Sequence, residues 1–313
     1  MNNGIYLSIV SPVYLAEGII DELIKRIIEQ MLKITENYEI ILVEDGSSDN
    51  SWQKIEENCK KHKKIKGVKL SRNFGQHYAI TAGLHKSKGD YVVVIDCDLQ
   101  DNPKYIPELI NKSKDGFDIV LTKKRFRKHN IFKNYLGLAF HKIFNLLASD
   151  KITLSNEKIG GFSLLTRKVV NAFCKYNEYH RSYLPILRSL GFSSAVISIN
   201  HEKRFLGKTS YSFSKGLGLA LDGIVSHSNK LLRMSIYLGF SFAFCGLVSI
   251  IFIIIKSITS GFQAGWASTM VLFIFCTGLI LISIGIVGIY IGKIFMQTKS
   301  RPLYLIDKQL NID

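Results

Sequence analysis

The chain has 313 residues, a formal net charge of +16 and 47% hydrophobic residues, enough for one globular domain of about two hundred residues plus an appendage. The positive charge invites a nucleic-acid reading, but the basic runs Lys60–Lys64 and Lys123–Lys128 sit on no recognised nucleic-acid module, so that partner is excluded. Five scattered cysteines, Cys59, Cys97, Cys174, Cys245 and Cys276, show no metal-ligand spacing and argue for a reducing compartment without a disulfide framework.

Strand and helix patterns alternate along the first part of the chain. Tyr6–Val10, Tyr38–Glu44, Ile65–Leu70, Tyr91–Asp96 and Phe117–Thr122 read as strands, with helices at Ile19–Thr35, Ser51–His62, Tyr78–Ser87 and Pro103–Lys114. This order predicts an α/β fold, a mostly parallel sheet with helices on both faces. Pro103 and Pro107 suit the first turn of a helix. No basic region precedes the first strand, so a cleaved signal peptide is not expected.

After Thr122 the alternation stops. Residues 131–149 are amphipathic with cations on the polar side, a pattern that suits either a membrane interface or packing against the sheet. Residues 213–234 form a second amphipathic candidate beside the membrane. Ile236–Ile255 and Trp266–Ile291 contain no charged residue, and spanning a bilayer takes roughly 20 apolar residues, so a two-helix transmembrane hairpin is expected within residues 235–292. Gly278, Gly285 and Gly288 permit close helix approach. Lys230 and Arg233 precede the hairpin and Lys293, Lys299 and Arg301 follow it, whereas its connection holds only Lys256. The positive-inside rule then puts the globular domain, residues 1–212, and both chain ends in the cytoplasm, with 293–313 as a tail. The excess of cations also suits anionic lipid headgroups.

The chemistry concentrates in four strand-end segments. Ser11-Pro12-Val13-Tyr14 closes the first strand and Val43-Glu44-Asp45-Gly46-Ser47-Ser48-Asp49 the second; Leu70-Ser71-Arg72-Asn73-Phe74-Gly75-Gln76 follows the third. The fourth strand ends in Asp96-Cys97-Asp98-Leu99-Gln100. Carboxylates at a strand's carboxyl end lie where open α/β sheets place ligands, and hard oxygen donors suit Mg²⁺ or Mn²⁺. In this order the segments resemble family-2 glycosyltransferases of the GT-A (Rossmann-like) fold. The match is to the membrane branch that passes a sugar from a nucleotide to a polyisoprenyl phosphate, including dolichyl-phosphate mannosyltransferase and its bacterial relatives.

The resemblance implies roles residue by residue. Pro12, Tyr14 and Asp45 match positions that hold base and ribose, with Asp96, Cys97 and Asp98 completing the nucleotide-sugar site. Asp96, Asp98 and Gln100 match the metal and diphosphate positions. Arg204 and Lys208 match a basic loop that approaches donor and acceptor phosphates; Arg125 and Lys133, with Arg204, match positions that grip the lipid phosphate. Asp96, Asp98, Arg204 and Lys208 are thus the expected catalytic set. The expected partners are a nucleotide sugar, probed first as UDP-linked, a polyprenyl phosphate such as undecaprenyl phosphate, the bilayer, further copies of the chain and a flippase. The implied place is the bacterial cytoplasmic membrane, in service of cell-envelope glycans.

Three departures qualify the match. Relatives often carry Gly-Asp-Phe-Arg where this chain has Gly160-Gly161-Phe162-Ser163, so a carboxylate assigned there as base is absent, with Glu157 nearby in sequence. Leu15-Ala16 follows Tyr14 in place of Asn-Glu, and Glu44 replaces an Asp. Two alternatives stand beside the polyprenyl-phosphate reading: transfer to a hydroxyl of a lipid-linked saccharide, and a non-catalytic membrane scaffold.

Overall fold

The computed structural model describes residues 6–124, 159–179, 181–200, 230–260 and 265–312. These fall into two compact units: 6–124, 159–179, 181–200 and 301–312 in the first, 230–260 and 265–300 in the second.

The first unit opens with strand β1 (Leu7–Val13), helix α1 (Ile20–Met31), β2 (Tyr38–Glu44), α2 (Ser51–Lys61), β3 (Ile65–Leu70), α3 (Gln76–Lys86) and β4 (Tyr91–Val94). A 3₁₀ turn at Pro103–Tyr105 leads into α4 (Ile106–Lys114) and β5 (Ile119–Lys124). The Asn102 side chain accepts the Lys104 amide and caps that turn; Pro103 opens it and Pro107 lies in the first turn of α4, positions where no helical amide is lost. Then come β6 (Ile159–Thr166), α5 (Arg167–Lys175), α6 (Tyr183–Ser189) and β7 (Ser194–Ile199). The second unit consists of α7 (Lys230–Ser260) and α8 (Trp266–Thr298), after which β8 (Ile306–Leu310) returns to the first.

All eight described strands join one sheet in the order β7-β5-β6-β4-β1-β2-β3-β8. The block β3-β2-β1-β4 is parallel throughout, as is β5–β7. Strand β6 runs antiparallel between β4 and β5, and β8 antiparallel beside β3, so the sheet is mixed around a parallel centre. Every residue of β1 and β2 is buried, as expected of central strands covered on both faces. Leu7, Ile9, Ile40 and Leu42 pack with α1, α2 and α4 through Leu23, Ile27, Ile55 and Leu109. On the opposite face Val10, Ile41, Val43 and Val94 meet Ile80 and Leu84 of α3 and Phe173 of α5.

Strands β6, β7 and β8 lie beyond the point where local alternation ends. The expected tail 293–313 contains β8, which registers Gly67 with Leu310 and Leu70 with Ile306 and covers the side of β3 that would otherwise be an open edge. Asn311 fixes its far end by donating to the Cys59 and Ile65 carbonyls, both at 2.8 Å, while Tyr304 Oη lies 3.1 Å from His85 Nδ1 on α3.

In the second unit α7 and α8 have 31 and 33 residues, each roughly 50 Å long at about 1.5 Å per residue. Within α8, Phe275–Thr298 is long and apolar enough to cross a membrane, with a mean hydropathy of 2.3; Leu232–Gly246 in α7 is a shorter apolar stretch. Phe242 and Phe275 bring the two helices into ring contact at 5.5 Å. The stretches 131–149 and 213–229 lie outside the described residues.

At the amino edge of the sheet a buried ion pair joins neighbouring strands. Glu39, 1% exposed, takes the Lys66 ammonium at 2.6 Å, the Ser8 hydroxyl at 2.5 Å and the Lys88 amide at 2.6 Å. Removing one member of such a pair strands the other charge in a dry place. Glu39→Ala is therefore expected to destabilise the protein by about 3–5 kcal/mol, read as a lowered thermal midpoint. An unchanged midpoint would contradict the role given to this pair.

Candidate active site

The carboxyl ends of β1, β2 and β4 lie side by side, so the segments after them form one rim, the place where open α/β sheets receive ligands. The rim is stapled from both directions. Leu15 and Ala16 amides donate to Ser47 Oγ and Ser51 Oγ at 3.0 and 2.9 Å, and the Glu17 amide donates to Asp49 Oδ2 at 3.2 Å. In return the Asn50 amide donates to Glu17 Oε2 at 2.8 Å. Leu15 takes a positive φ of 49° within this turn. Pro12 is buried in β1, whereas Tyr14 and Leu15 are 49% and 51% exposed, two apolar side chains standing at the rim.

Asp45 sits just past β2, 3% exposed, and its two oxygens accept the amides of Phe74 and Gly75, each at 2.8 Å. Burial raises its pKa above the ordinary carboxylate range, and these two amides oppose the rise. Its neighbour Gly46 (φ +66°) lies so close to this loop that an added Cβ would stand 2.3 Å from the Asn73 nitrogen. Only glycine fits there. Glu44 is fully buried, with Oε1 accepting the Ser47 amide.

Beyond β4 the rim turns acidic. Strand pairing ends at Val94, and Asp96, Cys97, Asp98 and Gln100 follow in a turn with Leu99 at a positive φ of 57°. Asp96 Oδ1 accepts Nε2 of Gln76, the first residue of α3, at 2.7 Å. Asp98 Oδ1 accepts the Gln100 amide at 3.1 Å, and Asp101 is buried behind them. Loss of solvent, then the charges of Asp101 and Asp98, push the Asp96 carboxyl up to about 7; the Lys124 ammonium and the Gln76 amide pull it back.

Across from α3, strand β6 places Gly161 against the same carboxylate. A Cβ there would lie 3.8 and 3.9 Å from the two Asp96 oxygens, so the missing side chain leaves open space beside the acid. Ser163, next on that face, bonds the buried Tyr183 hydroxyl at 2.7 Å. The Tyr183 amide reaches His77 Nδ1 at 3.5 Å, and burial lowers the His77 pKa.

The rim thus brings together Pro12, Tyr14, Asp45, Asp96, Cys97, Asp98 and Gln100. Arg125, Lys133, Glu157, Arg204 and Lys208 lie outside the described residues. Two residues at the rim have no role in the sequence reading. Gln76 closes a quoted motif, yet only the fold aims it at Asp96. Lys124 ends β5, and its Cε lies 3.8 Å from where a Gly160 Cβ would be.

The donor set fits a hard divalent cation. Carboxylates crowded until one is pushed up to about 7 represent excess negative charge that a cation relieves. Among the described residues no three His, Cys, Asp or Glu side chains form a ready cage. Ions such as Mg²⁺ are commonly held by one or two carboxylates plus substrate phosphates. Cys97 stands between the two acids, and burial followed by the Asp96 charge pushes its thiol up to about 12. A thiol so protonated is a poor nucleophile. Cys97 is expected to react with iodoacetamide at pH 8 at least about tenfold slower than an unperturbed cysteine, read by peptide mass spectrometry. Reaction at the free-cysteine rate would contradict this electrostatic picture.

Residues 8–173 match the profile of Glycosyl transferase family 2. An uncharacterized glycosyltransferase of Synechocystis sp. is 37% identical over 304 residues, covering 96% of this chain and 95% of the relative. The undecaprenyl-phosphate 4-deoxy-4-formamido-L-arabinose transferase of Proteus mirabilis is 30% identical over 318 residues, covering 98% and 94%. Among solved structures, glucosyl-3-phosphoglycerate synthase from Mycobacterium tuberculosis, crystallised with Mn²⁺, UDP and glucosyl-3-phosphoglycerate, superposes with a TM-score of 0.52. It shares 16% identity and covers 71% of this chain and 78% of its own, a likeness of fold alone. The chain belongs to glycosyltransferase family 2, and its first unit has a GT-A-like fold.

Proposed function

We propose that the protein is a membrane-bound, inverting glycosyltransferase that moves a sugar from a nucleoside diphosphate sugar to a polyprenyl phosphate. The observation that carries this reading is the Asp96–Asp98 pair at the carboxyl rim, with bare backbone at Gly161 facing Asp96. The relatives named as undecaprenyl-phosphate transferases support the acceptor. The neighbour crystallised with UDP and Mn²⁺ makes UDP the first nucleotide to try.

Tyr14 and Leu15 offer an apolar shelf for the base, and Asp96, Asp98 and Gln100 would hold the divalent cation with the donor diphosphate. The cation, Mg²⁺ or Mn²⁺, supplies charge neutralisation to the departing diphosphate. An acceptor phosphate oxygen forms the new bond to the anomeric carbon as the bond to the nucleoside diphosphate breaks on the opposite side. A phosphate monoester, with its second pKa near about 6, already carries the nucleophilic charge at neutral pH. It asks for no strong base, which agrees with glycine at 161; a sugar hydroxyl would need one. Lys124 is the described cation best placed to meet a phosphate beside Asp96, with Arg125, Lys133, Arg204 and Lys208 assigned to the same work by resemblance.

The basic residues near the outer ends of α7 and α8 support a two-span arrangement. With the basic residues flanking this pair, both ends lie on the cytoplasmic side.

The test is transfer by the purified full chain in detergent, with undecaprenyl phosphate, Mn²⁺ or Mg²⁺ and a panel of nucleotide sugars. A sugar–phospholipid product that requires the cation is expected, with Asp98→Ala lowering the rate at least about a hundredfold, the scale on which one electrostatic stabiliser acts. Product formed only on lipid-linked saccharides, or undiminished in Asp98→Ala, would overturn the proposal.

A further inference from the structure

We propose that Asp45 and Gln76 act as one positioning unit for Asp96, linking the end of β2 to the end of β4 through the loop that opens α3. The inference rests on the cation reading above and adds to it two residues that act through another side chain.

Each link is a short contact. Both Asp45 oxygens are engaged by the Phe74 and Gly75 amides at 2.8 Å, and the side chain is buried. The glycine after it, Gly46, allows the 72–73 backbone to lie against the turn that follows β2, where any Cβ would collide. The loop is therefore clamped from two sides at the residues immediately before α3. Gly75 (φ +106°) turns the chain into the helix, and Gln76 at its first position sends Nε2 to Asp96 Oδ1 at 2.7 Å. With Oδ1 held, Oδ2 carries no hydrogen bond to a described residue and is the oxygen presented to a cation.

The chemical identity of Gln76 matters as much as its place. Asp96 already shares the rim with Asp98 and Asp101, so a carboxylate at 76 would add repulsion, while an ammonium would compete with the cation for Asp96. A neutral amide donor orients the acid and does neither. Partners of metal ligands work in this way, and losing one typically costs ten- to a hundredfold in metal affinity. Asp45 has a different alternative, direct contact with the nucleotide, as the family resemblance implies. Measuring the cation with inorganic pyrophosphate, which carries the diphosphate but no base or ribose, separates the two.

The experiment is Mn²⁺ binding to the full chain in detergent with inorganic pyrophosphate in place of nucleotide, followed by electron paramagnetic resonance against a protein-free pyrophosphate control, alongside a thermal midpoint for each variant. Asp98→Ala anchors the series. Retention of wild-type Mn²⁺ affinity by Asp98→Ala would remove the cation site itself, and with it the present inference. Given loss there, Gln76→Met, which keeps length and removes the donor, is expected to weaken Mn²⁺ about 10- to 100-fold at an unchanged midpoint. Asp45→Asn is expected to weaken it as well. The double variant should fall no further than the weaker-binding single variant, because the two residues act in series. Wild-type Mn²⁺ affinity in Gln76→Met overturns the proposal. So does an Asp45→Asn protein that loses UDP while binding Mn²⁺ normally. Should Asp45→Asn fail to fold, the Gln76→Met result decides alone.

Discussion

Asp96 follows β4 with Asp98 and Asp101 close behind it, and the need to keep this carboxylate in place, against loss of solvent and then the charges of its two neighbours, is the constraint around which the rim is built. Burial and neighbouring charge both disfavour its ionised form. The surroundings hold it in place instead. Gln76 bonds Asp96, the Gln100 amide bonds Asp98, and Lys124 adds a positive charge nearby. Gly161 keeps the facing strand from adding bulk or charge of its own. On the proposed reading, the charge that remains is met by a divalent cation.

The scaffold makes this arrangement affordable. Central strands buried on both faces, with apolar helices over each, fix the strand ends that the rim hangs from. The Glu39–Lys66 pair ties the same strands together at the opposite edge. Strand β8 adds a further tie: the segment that follows α8 is part of the sheet that carries the rim.

Much of the fold was legible because its signals are local. The apolar runs at Tyr38–Glu44 and Ile65–Leu70 are strands with those bounds, and the helices between them follow amphipathic periodicity. Strands β6, β7 and β8 were not legible, since their pairing partners are distant in sequence and β8 lies across two long apolar helices from β3. The same division runs through the site. Asp96 and Asp98 announce themselves as paired acids at a strand end, but the amides on Asp45 and the approach of Gln76 to Asp96 exist only once α3 has packed on the sheet. The glycine at 161 reads as a lost base in the sequence; in three dimensions it also leaves space beside Asp96.

The central claim is that the β4 rim holds a divalent cation together with a nucleoside diphosphate. Its most direct test is an anomalous difference map from crystals of the full chain grown with Mn²⁺ and UDP. The account predicts a single strong manganese peak about 2.0–2.6 Å from oxygens of Asp96 and Asp98, with diphosphate oxygens completing its shell. Manganese bound elsewhere, or UDP seated at the rim with no cation between it and these acids, would contradict it.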